Sequence, residues 1–286
     1  MKRVLQSCVF AGVAGVALLA AVGIASAIDV TDADRVFQNY TRETATLGEN
    51  QIRLEVRGLK EQTDDTARLN LAGQHLQGCA VGHPGCLKDL DAGIMDFVGS
   101  YGLGKNAEAG LIVPGMIESL RVTQGGVTTV GHDADLGDIQ LYTKFKRQVA
   151  QHCAVGAGVE LSLPSGGRSK GFGTGEFGVN PIISTRYQRG LVAVGGNVGY
   201  QVYTGDVPDV FNYGTELILR WSEEYALRTE LASRLLRQGN HYHDLTILPG
   251  VDVNLSENLV VRPTGLVGVS PSAADWGIGI GVAVIL

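Results

Sequence analysis

The chain has 286 residues, 44% of them hydrophobic, with 23 Lys+Arg against 29 Asp+Glu and a net charge of −6. This is enough apolar material for one large domain, and no basic cluster is dense enough to hold nucleic acid. Forty glycines against eight prolines favour many turns and close backbone contacts over a helical bundle.

Residues 1–27 read as a secretory signal peptide. Lys2 and Arg3 make a basic start, Val9–Ile24 an apolar run, and Ala25-Ser26-Ala27 a small-residue cleavage site. The signal carries two basic residues and no acidic one, so the processed chain has 21 basic against 29 acidic groups. Residues 28–49 then form a periplasmic N-terminal segment. Export exposes thiols to oxidation. Cys79 and Cys86 enclose the turn-rich AVGHPG and can close a small disulfide, the alternative being two free loop thiols; Cys153 would remain single.

From Gln51 onward no stretch of about 18 consecutive apolar residues occurs, which excludes a further transmembrane helix. The period is two instead. In EFGVNPIISTRYQ, Phe177, Val179, Ile183 and Tyr187 share one face, and Glu176, Asn180, Ser184 and Arg186 the other. Alternation of this kind predicts twelve strands, near 50–61, 91–103, 107–119, 136–147, 152–163, 175–188, 191–204, 211–222, 225–237, 243–255, 259–270 and 275–286. Residues 62–90 form a long extracellular loop with room for another strand. The stretch Gly214–Gly239 is ambiguous, because its helix formers could also build one amphipathic helix. Its alternation on either side of Ser222-Glu223-Glu224, amid repeated hairpins, favours two strands.

Short turns follow the even strands, as in LGKN, VAQH, RG, EE and SEN, whereas longer polar connections follow most odd ones. That alternation predicts an all-β, antiparallel, up-and-down transmembrane barrel over residues 50–286, with both termini in the periplasm of a Gram-negative bacterium. Three features favour a membrane over a soluble sandwich. The strands are long enough to cross a bilayer at a tilt. Tyr187, Tyr213, Trp221 and Tyr225 lie at strand ends, where an aromatic girdle belongs. Val282, Val284 and Leu286 resemble the C-terminal signal read by the barrel-assembly machinery, although Leu286 stands where Phe is usual. The expected partners are therefore outer-membrane lipid, that machinery and small solutes. In hydrocarbon the sheet must close, since an open edge leaves backbone groups without partners.

The runs GDIQLYTKFKR, CAVGAGVELSLPSG, GFGTGEFG and GVNPIISTRYQRGLVAVGGNVGYQVYTGD, preceded by QIRLEVRG and DFVGSYGLGKNAEAGLIVPGMIES, resemble the MetA-pathway phenol-degradation family of outer-membrane barrels. The resemblance spans Asn50 to Leu286. It implies a small transport barrel for solutes that include hydrophobic or aromatic compounds.

Strand parity predicts a charged lumen of Arg53, Glu55, Lys144, Lys146, Glu160, Arg186, Glu216, Arg220, Arg228, Glu230, Arg234, Asp252 and Arg262, accompanied by Arg57, Asn180 and Asn197. Their positions along the strands suggest a basic ring beneath an acidic belt. Such a lumen can be an electrostatic constriction, or a network that satisfies buried charges and narrows the barrel. No cofactor or metal is expected. GTGEFG has the letters of a dinucleotide motif but no helix after it, and His241 and His243 suit a solvated loop better than a metal. Two other functions remain open: a membrane-embedded lipid hydrolase, for which G-x-S-x-G is missing, and a closed structural barrel.

Overall fold

The computed structural model describes residues 46–63, 87–124, 127–167, 172–205, 207–236, 242–270 and 273–286. The expected signal peptide and the Cys79–Cys86 pair lie outside them. The described residues form thirteen strands: β1 (Ile52–Thr63), β2 (Leu87–Gly104), β3 (Ala107–Gln124), β4 (Val127–Leu136), β5 (Gln140–Ala150), β6 (Cys153–Ser162), β7 (Gly178–Arg189), β8 (Val192–Tyr203), β9 (Val210–Arg220), β10 (Tyr225–Leu236), β11 (Tyr242–Ser256), β12 (Leu259–Gly268) and β13 (Trp276–Ile285). All pair antiparallel. The β1–β13 and β2–β3 ladders close the sheet on itself.

The ring has twelve places, not thirteen, because β4 and β5 share one. β5 pairs with Ala107–Ile112 of β3, and β4 pairs with Gly115–Gln124 of the same strand. Residues 137–139 break the shared place, opposite Pro114, whose carbonyl accepts the Gly137 amide at 2.8 Å. The sequence gives no sign of β4, since its described side chains are exposed on both faces and a strand with no buried face has no reason to alternate.

The ambiguous stretch is a hairpin. β9 and β10 pair from Val210↔Leu236 to Arg220↔Ala226. Ser222 Oγ accepts the amides of Glu224 and Tyr225 at 3.2 and 3.1 Å and shapes the turn. Good helix propensity is overridden because β8 and β11 supply hydrogen-bond partners along both outer edges.

Burial is inverted relative to a soluble protein. The outward faces expose Leu54, Phe97, Leu111, Ile278 and Ile280, with Ile183 at 62%, while the inward faces bury Arg53, Glu108, Arg228 and Asp252. Apolar surface of this extent, wrapped around a closed ring, suits hydrocarbon rather than water. β7 shows the logic in one strand, with inward residues from Gly178 to Gln188 buried and every second residue exposed or half-buried.

Candidate solute-selective interior

Tight connections at 105–106, 151–152, 190–191, 221–224 and 257–258 gather at the end where β1 begins and β13 finishes. The interior near that end is held by charge. Glu108, fully buried, sits directly across from Lys144 in the β3–β5 ladder. Its Oε1 accepts Arg53 Nη2 at 3.1 Å and the Tyr142 hydroxyl at 2.9 Å, and its Oε2 lies 3.6 Å from Lys144 Nζ. The same Oε2 accepts the Leu47 amide at 2.9 Å, so the chain just before β1 enters the lumen, with Thr46 and Leu47 both buried. Ser100 Oγ completes the cluster, 3.0 Å from Arg53 Nη2.

A second cluster forms around Asp252, which is 1% exposed. Arg228 Nη2 donates to its Oδ2 at 3.0 Å and Arg262 Nε to its Oδ1 at 2.7 Å. Arg228 Nη1 reaches Glu216 at 3.5 Å. Between the two clusters Glu55 accepts from Arg57 and lies 3.8 Å from Arg53 Nε. A cavity of about 60 Å³ separates them, bordered by Glu55, Arg57, Arg228, Glu230 and Arg262. Inward glycines leave it that space, for a Cβ on Gly279 would meet the Gly58 carbonyl at 2.7 Å.

The expected ring beneath a belt is therefore not what these clusters show. Charges of opposite sign interleave at one level, each carboxylate held between two cations, because a desolvated charge needs its counter-ion at contact distance. The remaining lumen candidates are placed as follows. Glu160 and Arg186 are buried, Lys146 and Arg220 are half-buried, and Arg234 is exposed, 3.7 Å from Asp244. Glu108 escaped the sequence reading because the inner face of β3 also carries Ile112 and Met116, which erases polar alternation there. Its place opposite Lys144 was the available signal.

At the other end residues 163–167 and 172–177 lie against the break in the wall. Asp138 Oδ1 accepts the Gly166 amide at 2.9 Å, and Oδ2 accepts the Thr174 amide and hydroxyl at 2.7 and 2.6 Å. Phe172 is buried beside Gly137. The GTGEFG letters thus belong to a packed inward loop.

On the outer wall Trp221 stacks on Tyr225 at 6.2 Å beside a turn, Tyr187 meets His152 edge-on at 6.2 Å, and Tyr213 lies at the opposite end. His243 lies in β11, not in a loop. Its Nε2 is 3.1 Å from the Tyr213 hydroxyl and 3.0 Å from Ser233 Oγ. Ser233 is sealed at 2% exposure and shares that nitrogen with a tyrosine, a poor arrangement for attack on a lipid carbonyl. His241 lies outside the described residues. Cys153 opens β6, half-buried.

Residues 96–284 match the family model described as Putative MetA-pathway of phenol degradation. The chain belongs to that family. No curated protein matches it. Among solved structures it is similar to the COG4313 outer membrane channel from Pseudomonas putida F1, with a TM-score of 0.60 at 14% identity, covering 88% of this chain and 100% of that one. The NanC porin follows, with a TM-score of 0.50 at 10% identity over 81% and 98% of the two chains. The KdgM porin in complex with disordered oligogalacturonate has a TM-score of 0.50 at 8% identity, again over 81% and 98%. At these identities the likeness is one of fold, and the fold is that of outer-membrane β-barrel channels and porins.

Proposed function

We propose that this family member is a passive outer-membrane channel for small solutes, hydrophobic or aromatic compounds among them. One observation carries the reading: a closed ring turns its apolar side chains out and its ion pairs in, which gives lipid a wall and solutes a wet interior. In this reading residues 1–27 direct export, the turn end faces the periplasm, and β13 with Leu286 engages the barrel-assembly machinery. The charged clusters form a constriction selective by charge and hydrogen bonding. The family description and the apolar Leu59 and Leu248 beside the charged cavity support aromatic solutes.

The test is conductance of the refolded protein in planar bilayers, with added phenolic solutes and sugars as blockers. Small discrete steps, blocked by phenolics at concentrations where sugars have no effect, are expected. A barrel that shifts mobility in unboiled gels yet never conducts would be a structural one, and calcium-dependent fatty-acid release would make it a hydrolase. Glu216→Gln and Arg220→Gln should each alter the reversal potential in a salt gradient.

A further inference from the structure

One side of the lumen is built differently from the ion-paired side. On the inner faces of β7, β8 and β9, Asn180 is fully buried and neither its Oδ1 nor its Nδ2 has a partner. Asn212 Oδ1, Asn197 Oδ1 and Gln188 Oε1 are likewise buried without partners. Arg186 is 8% exposed, its Nε and Nη1 have no hydrogen-bond acceptor, and no carboxylate among the described residues forms an ion pair with it. These groups run along the wall from Gln188 at the turn end to Asn180 near the loop end. They span eight residues of β7, roughly 26 Å of strand at about 3.3 Å per residue. Asn180 is packed against Gly199, where a Cβ would lie 2.8 Å from its Oδ1.

Buried carboxamides and a buried guanidinium are costly without partners. A guanidinium asks for an anion in its plane, and a carboxylate accepts two N–H groups at once. We propose that this rail, with Arg186 near its periplasmic foot, is a binding site for the carboxylate head of a small organic acid. Further along the wall the Asn180 Nδ2 donates to the head-group oxygens, while the Oδ1 atoms of Asn180, Asn197 and Asn212 accept from any hydroxyl the acid carries. The inference rests on the channel reading for the solute's route, but the site itself does not need conduction.

The experiment is calorimetric titration of the refolded full chain in detergent with benzoate, benzyl alcohol and inorganic phosphate, on wild type, Arg186→Lys and Arg186→Gln, each checked for the folded gel mobility. Wild type should bind benzoate saturably and benzyl alcohol far more weakly. Arg186→Gln should weaken benzoate by about tenfold or more, the loss expected for a charged donor, and Arg186→Lys, which keeps the charge but not the planar fork, should recover only part of it. Equal binding of benzyl alcohol, an unchanged Arg186→Gln, or phosphate displacing benzoate as well as a second carboxylate does would overturn the site. Should Arg186→Gln misfold, Asn180→Leu serves as the second variant and should also weaken benzoate. Failure of the site leaves conductance intact, whereas failure of the channel reading leaves benzoate binding without conduction.

Discussion

The two sides of the lumen solve the same problem in opposite ways. Around β1, β3 and β10–β12, two buried carboxylates are each clamped between two cations: Glu108 by Arg53 and Lys144, Asp252 by Arg228 and Arg262. Along β7–β9, the buried polar groups include an arginine and three asparagines with polar atoms that find no acceptor or donor in the protein. A clamped ion pair offers little to a passing solute, because its charge is already matched at contact distance. An unpartnered amide is the reverse: it weakens the empty fold slightly and is available. On the proposed reading, the barrel separates support from recognition by sector.

Breaking the clamp should have the largest effect. Asp252→Asn removes the carboxylate that Arg228 and Arg262 share, and removing one partner of a buried ion pair typically costs about 3–5 kcal/mol. Urea unfolding in detergent, read by the loss of the fast-migrating folded band, should show it; a midpoint equal to wild type would mean that the clamp is solvated and weak. The loop clasp comes next. Asp138→Ala removes three acceptor contacts to Gly166 and Thr174 and should cost about 1–3 kcal/mol. Releasing the Gly166 and Thr174 contacts should also raise single-channel conductance. Glu216→Gln, on the longest contact in the Asp252 cluster at 3.5 Å, keeps a hydrogen-bonding group there and should cost about 1 kcal/mol, chiefly shifting ion preference.

The contrast was half legible beforehand. Strand parity found Arg53, Glu55, Arg228, Asp252 and Arg262 because β1, β10, β11 and β12 alternate cleanly, and it found the β9–β10 hairpin against its helix propensity. It could not find the clamp, since pairing depends on register between strands and on depth, neither of which one chain's alternation specifies. Glu108 was hidden by apolar neighbours on its own face. β4 was hidden because neither of its faces is buried. The clasp was hidden for a third reason: Asp138 and Thr174 are 36 residues apart, and only the break between β4 and β5 brings them together. Alternation reports which way a side chain points and says nothing of what it meets.

The smallest expected effect gives the sharpest comparison. Asn180 has the burial of Asp252 but none of its partners, so Asn180→Leu removes polar atoms whose hydrogen bonds the protein does not satisfy. Exchanging an unsatisfied buried group for an apolar one of similar size is nearly neutral or stabilising. The unfolding midpoint of Asn180→Leu should therefore stay within about 1 kcal/mol of wild type or rise above it, while Asp252→Asn falls well below. If both variants lost stability alike, the carboxamide would be a structural hydrogen-bonding group after all, and the division of the lumen into a supporting and a recognising side would fail.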